Sequence, residues 1–167
     1  MKHDYSIECD HIILMPMSLQ TSELYRQLRN REDNREFFFN STIIEREQQE
    51  TWFQNYLKKE TEYMFSVVHK LTGSFIGGIG IYDIDSSKRT AEIGRIIIDK
   101  ELAAGKGYGT EAINGLAEIS QNKLNLNKVY AYIYGTNIAS IKAFLKAGFV
   151  EDAAEKDNDI IKVCRPL

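Results

Sequence analysis

A chain of 167 residues that is 43% hydrophobic and 27% charged, with only two prolines, is long enough to bury a substantial core. We expect one globular domain over 1–167. It has no apolar run near the roughly 18–20 residues of a membrane span, and Met1–Asp10 has no apolar signal core, so a cytoplasmic protein without membrane contact is expected. A formal net charge of −3 argues against nucleic acid as a partner and is mildly compatible with a cationic substrate.

Ile12–Met15 is a short apolar strand closed by Pro16, and Leu19, Leu24 and Leu28 then mark a first helix ending near Arg29–Asn30. The charged run Asn30–Arg35 leads into Phe37–Phe38–Phe39. Three adjacent aromatics cannot all face inward from one element, so this stretch reads as a loop, either anchored by one Phe or walling a substrate pocket. Gln49, Trp52, Phe53, Tyr56 and Leu57 recur at helical spacing in a second helix over Glu45–Lys59, with a core-facing aromatic side.

Three strands follow, Tyr63–His69, Phe75–Tyr82 and Thr90–Asp99, joined by turns too short for a crossover and therefore antiparallel. The isoleucine-rich end of the last one belongs in the centre of a sheet. It runs into Ala104–Gly105–Lys106–Gly107–Tyr108–Gly109–Thr110, after which Ala112, Ile113, Leu116 and Ala117 recur at helical spacing. Strand, glycine loop and helix N-terminus together present unpaired N–H groups and the positive end of a helix dipole, a combination that holds phosphates. The spacing excludes a P-loop, because Lys100 stands where the first glycine belongs and Gly107 follows Lys106. A dinucleotide fingerprint is disfavoured, since the third glycine comes one position early at Gly109. Lys128–Ile133 is then a strand parallel to Thr90–Asp99, by the handedness of crossovers. Asn137 caps a helix through Leu145 that Gly148 ends, and Phe149–Val150 and Ile160–Val163 close the sheet. Cys9 and Cys164 read as reduced thiols, and the three histidines, His3, His11 and His69, have no ligand spacing, so no metal is expected.

Gly105–Lys106–Gly107–Tyr108–Gly109 resembles the Arg/Gln-x-x-Gly-x-Gly/Ala loop of the GCN5-related N-acetyltransferase (GNAT) superfamily, with Ala104 replacing the Arg or Gln. Asn137–Phe149 resembles that family's Asn-x-x-Ser-x-x-x-(Tyr/Phe)-x-x-x-Gly-Phe segment. The resemblance covers essentially the whole chain and is closest to the branch of ribosomal-protein, spermidine and nucleotide-linked amino-sugar acetyltransferases. It implies an α/β (α+β) fold: a mixed, mostly antiparallel sheet of about six to seven strands and about four helices, with a parallel pair splayed at the acetyl-CoA site. It also implies acetyl-CoA as cosubstrate, with Gly105, Lys106, Gly107, Tyr108, Gly109 and Thr110 on the pyrophosphate and Asn137, Ser140, Phe144 and Ile98 along the rest of the coenzyme. The variable region from Arg29 to Thr42 would then bind the acceptor, with Arg29, Asn30, Phe38 and Phe39 as its contacts. A small-molecule or peptide amine is the implied partner, and a homodimer is left open.

Direct transfer from a thioester to an amine needs a base, because a protonated amine has no lone pair. Glu92 is the candidate base, expected to share a strand face with Gly94, Ile96 and Ile98; its alternative is an ion pair with Arg89 or Arg95. The resemblance implies a bulge that turns a backbone N–H, at Ile97 or Ile98, toward the thioester carbonyl. Many relatives carry a tyrosine where Phe144 stands, to protonate the leaving thiolate; Tyr108, Tyr132 and Tyr134 are the substitutes within this chain. The rival readings are a catalytically weak coenzyme A-binding regulatory module and a nucleotide-binding interaction protein.

Overall fold

In the computed structural model, residues 1–157 and 159–167 are described, the side chains of 154–157 excepted. In chain order the elements are β1 (Ile7–Glu8), β2 (Ile12–Pro16), α1 (Leu19–Asn30), α2 (Glu32–Arg35), α3 (Arg46–Tyr56), β3 (Tyr63–His69), β4 (Phe75–Asp85), β5 (Thr90–Ile98), α4 (Lys100–Ala103), α5 (Tyr108–Asn122), β6 (Lys128–Tyr134), α6 (Ile138–Lys146), β7 (Val150–Asp157) and β8 (Ile160–Pro166). The strands form one sheet in the order β1-β2-β3-β4-β5-β6-β8-β7, in which only β5 and β6 pair in parallel. The described strands number eight and the helices six. The excess over the sequence expectation is the two-residue β1 and the one-turn α2 and α4, elements too short to show a hydrophobic period.

Alternation along the strands sends side chains to two cores. Ile12, Leu14, Phe65, Val67, Ile79 and Ile81 pack beneath α5 and α6, while Met17, Met64 and Ile97 pack with Tyr25 and Leu28 of α1 and Phe53 and Tyr56 of α3. Helix α1 starts where it does because the Ser18 hydroxyl accepts from the Thr21 N–H at 3.1 Å and Thr21 Oγ1 accepts from the Ser18 N–H at 2.9 Å. Helix α3 stops at Tyr56, short of the expected Lys59, as the chain turns toward β3.

Two departures from regular pairing build the site. First, β5 carries one extra residue: Gly80 pairs with Gly94 but Gly78 pairs with Ile97. The bulge centres on Arg95, whose φ of 51° is a left-handed value that costs a non-glycine residue about 1–3 kcal/mol. Three contacts offset that cost. The Tyr25 hydroxyl donates to the Arg95 carbonyl at 2.7 Å, the Arg95 guanidinium pairs with the buried Glu62 carboxylate at 3.0 Å, and it lies 4.2 Å over the Tyr82 ring. The bulge reverses the phase of the strand, so the face expected to carry Glu92, Gly94, Ile96 and Ile98 does not exist. Beyond the bulge it is Ile97 that joins the α1/α3 core, while Ile96 and Ile98 lie against the core under α5 with Ile93. Second, β5 and β6 pair only at Thr90–Lys128, Ala91–Val129 and Glu92–Tyr130 and then part, whereas β6 continues along β8 as far as Tyr134. The result is a wedge that opens at Glu92.

Candidate active site

The wedge between β5 and β6 opens into a cleft of about 1530 Å³ that runs from the aromatic loop after α2, past Glu92, to the start of α5 and along α6. Its two ends have different chemistry.

At the α5 end, the loop turns on Gly105 and Gly107, at φ 72° and 77°, angles that a side chain would strain. Gly107 is the N-cap of α5 and makes no side-chain capping bond. Glu111 is the first residue whose N–H returns to the loop, to Gly107 O, so the N–H groups of Tyr108, Gly109 and Thr110 have no acceptor within the helix. By contrast, α1, α4 and α6 are capped by Ser18, Asp99 and Asn137. A Cβ at Gly109 would meet only Ala143 Cβ at 3.9 Å and Ile98 Cγ1 at 4.0 Å, so glycine there leaves open space for a group to approach the backbone. Lys106, Lys142 and Lys146 also line the cleft and supply positive charge that Ala104 does not, while Lys100 lines it with its ammonium paired to Asp33. Donors and charge suit a polyanion of the pyrophosphate kind.

Along α6, Asn137 and Ser140 line the cleft, though Asn137 Oδ1 is spent on the Ser140 N–H at 3.2 Å and leaves only its amide NH₂ for a ligand. Phe144 borders the cleft but is 1% exposed and packs edge-on to Phe149 at 4.9 Å. Of the tyrosines considered as its substitute, Tyr108 meets His69 Nε2 at 3.3 Å and Tyr134 packs on Phe39 at 4.9 Å. Tyr132 also lines the cleft.

At the centre, Glu92 is 7% exposed. Its Oε1 accepts from the Tyr82 hydroxyl at 2.9 Å, and the Tyr132 backbone also favours the charged carboxylate. Burial pushes its pKa above the usual carboxylate range, and the Tyr82 bond offsets part of the rise. Neither expected ion pair forms: Arg89 bonds Asn125 and Arg95 pairs with Glu62. Tyr82 was not legible as a partner, yet the hairpin register sets it opposite Glu92. Its hydroxyl reaches across β5 because residue 94 is glycine, where a Cβ would collide with it.

The bulge decides between the two backbone donors. Asp99 N–H donates to Ile76 O at 2.8 Å, and antiparallel bonds alternate, so Ile97 faces Gly78 with its N–H spent within the sheet. The Ile97 N–H is therefore engaged with β4 and does not face the cleft. The Ile98 N–H points to the opposite edge, where β6 has parted from β5.

At the far end, Phe38 and Phe39 line the cleft, with Phe39 60% exposed. Arg29 also faces the cleft. Asn30 does not. Its amide donates to Ile44 O at 2.8 Å and accepts from Ile44 N–H at 2.9 Å, so it clamps the loop to α1 and is not a substrate contact.

A strand parted from its parallel neighbour and a bulged central strand are the features that the GNAT resemblance implied, and an uncapped helix stands at the end of that strand. The chain belongs to the acetyltransferase (GNAT) domain family, whose model matches residues 11–150, and it is an N-acetyltransferase. It is 26% identical over 150 residues to the probable N-acetyltransferase YjcK of Bacillus subtilis (strain 168), covering 84% of this chain and 82% of that one. In fold it is similar to the spermidine N-acetyltransferase of Vibrio cholerae solved with CoA and spermine: TM-score 0.83, 22% identity, 93% of this chain and 95% of that one. It is likewise similar to apo FdhC, a nucleotide-linked sugar GNAT: TM-score 0.84, 20% identity, 98% of this chain and 91% of that one. Among the described residues no group of three or more His, Cys, Asp and Glu side chains gathers to hold a metal, and no helix is long and apolar enough to cross a membrane.

Proposed function

We propose that residues 1–167 act as one unit that moves the acetyl group of acetyl-CoA to a primary amine by direct attack in a ternary complex. The observation that carries this reading is that the uncapped N-terminus of α5 and the buried Glu92 carboxylate open onto one cleft. In this reading the N–H groups of Tyr108, Gly109 and Thr110, with Gly105, Lys106 and Gly107, hold the pyrophosphate. Asn137, Ser140 and Phe144 border the pantetheine arm, and the Ile98 N–H stabilises the oxyanion that forms as the amine attacks the thioester carbon. Glu92 takes the proton that the amine must lose. A raised pKa suits this role, because a base works best when its pKa approaches the working pH. The C–N bond forms as the C–S bond breaks, and the thiolate leaves without a dedicated acid at Phe144. With a thiol pKa of roughly 8.5 it remains a tolerable leaving group.

One observation favours the second reading, a coenzyme A-binding module with weak turnover: the side chain at 144 is packed and carries no hydroxyl. Free coenzyme A release across a panel of amines separates the two. Transfer is supported by acceptor-dependent release with at least one amine, and coenzyme binding without release from any of them would favour the module.

A further inference from the structure

Beyond the base and the coenzyme end, the cleft holds one charge that no carboxylate among the described residues neutralises. Arg29, at the end of α1, is 7% exposed. Its Nη1 donates to Thr42 O at 3.3 Å, its Nη2 donates to Asn40 O at 2.5 Å, and the guanidinium plane lies 4.7 Å from the centre of the Phe38 ring. These contacts use two of its five N–H donors, and both acceptors are neutral carbonyls. Among the described residues no carboxylate lies within ion-pair distance of it. Other partly buried arginines are compensated: Arg95 by Glu62, Arg31 by Asp99 and Arg26 by Glu23. Burying a guanidinium without a counter-charge is costly, and burial does act against its charged form. Nε, the guanidinium nitrogen left without a partner, is not sealed in protein, since among the described residues the buried side-chain polar atoms without a hydrogen bond are His3 Nδ1 and Glu62 Oε1. Arg29 lines the cleft, and that is its open side.

Resting on the proposed transfer to an amine, we infer that the acceptor carries an oxyanion, a carboxylate or a phosphate, which docks on Arg29 while its amine faces Glu92. A planar guanidinium meets either anion through two parallel hydrogen bonds. The aromatic wall of Phe37, Phe38 and Trp52 excludes water around that contact and strengthens it. A polyamine is disfavoured, because its further ammonium groups would find only the exposed Asp83 among the cleft carboxylates besides Glu92, and would face Arg29. The chain's net charge of −3 is a property of the whole surface, and the acceptor end departs from it locally.

The test compares acceptors matched in their amine: butylamine with 4-aminobutyrate, glucosamine with glucosamine 6-phosphate, and spermidine as the polycation. With the wild-type protein, kcat/KM is expected to favour the anionic member of at least one pair by about tenfold or more. The pair that responds tells carboxylate from phosphate. In Arg29→Gln the anionic-to-neutral ratio collapses toward one whatever happens to the absolute rates, and Arg29→Lys retains part of it. A merely structural role in pinning Asn40 and Thr42 would lower both members of a pair alike and leave the ratio standing. No preference in either pair, a preference that survives Arg29→Gln, or spermidine outpacing both anionic acceptors would overturn the inference. Calorimetric binding of 4-aminobutyrate and of glucosamine 6-phosphate to the coenzyme A-loaded protein separates this inference from the one it rests on. Binding that is lost in Arg29→Gln supports the anion site even if no amine is acetylated, and the absence of any Arg29-dependent binding rejects it.

Discussion

Removing the Tyr82 hydroxyl isolates the tuning of the proposed base. In Tyr82→Phe the ring that lies 4.2 Å from the Arg95 guanidinium stays, while the 2.9 Å bond to Glu92 Oε1 is lost. That bond favours the ionised carboxylate and opposes the burial that disfavours it, so its loss moves the Glu92 pKa further up. A hydrogen bond to a charged group is worth about 1.5–3 kcal/mol, and its loss removes that much stabilisation of the ionised carboxylate. Because one side of the carboxylate faces an open cleft and the Tyr132 backbone still favours its charged form, the lower end of that range is expected. Glu92 must be ionised to accept a proton, so kcat/KM falls as pH drops through its pKa. The acidic limb of the pH profile should therefore move to higher pH in Tyr82→Phe, with the rate recovered above it. In a Glu92→Gln background the same change should leave the profile where it was. A limb that stays in place, or moves to lower pH, would refute Glu92 as the group being titrated.

Glu92→Gln alone should lower turnover most near neutral pH and less at high pH, where more of the amine is already deprotonated; steady-state rates across pH check this. Gly107→Val and Gly109→Val should both weaken acetyl-CoA binding for different reasons, the first by forcing a side chain into a φ of 77° and the second by filling the space beside the free N–H groups. Calorimetry on the folded variants measures it, and unchanged affinity in both would remove the loop from the coenzyme site. Phe144→Tyr sets a hydroxyl where the chain has a 1% exposed ring against Phe149, at a cost of about 1–3 kcal/mol if it finds no partner. If the hydroxyl reaches the cleft, turnover is retained or rises by about tenfold at most, since a positioned acid helps only where proton transfer limits the rate. Melting temperature and kcat on one preparation decide, and a lower melting point without kinetic gain would assign Phe144 to the core.

Much of this arrangement was legible in the residues themselves. The meander, the glycine loop and the Asn137-capped helix declare themselves through local signals, and the parallel β5–β6 pair follows from them by the handedness of crossovers. What escaped is what depends on contacts distant in sequence. Arg95 gives no local sign of its left-handed φ, because the groups that hold it there are Tyr25, seventy residues away, and Glu62, thirty-three away. A strand without the bulge makes Ile97 and Ile98 equivalent as donors and sets Glu92 on one face with Gly94, Ile96 and Ile98, which the bulge at Arg95 undoes. Asn30 gives no local sign of its clamping role, because its partner, the Ile44 backbone, belongs to a loop without a period to place it. Tyr82 is hidden by a second irregularity: Asp85 pairs with Thr90 but Tyr82 pairs with Glu92, so counting outward from the β4–β5 turn sets Asp83, not Tyr82, opposite Glu92.

The central claim is that the acetyl group passes from coenzyme A to an amine within this cleft, with no stop on the protein. The direct measurement is a single turnover with acetyl-labelled coenzyme A bound in stoichiometric amount, followed by addition of an accepting amine and recovery of the label. The label should stay on the coenzyme until the amine arrives and then appear on the amine, with none on the protein at any time. Label on the protein before the amine is added, at Cys9, Cys164 or elsewhere, or label that stays on the coenzyme whichever amine is supplied, would contradict it.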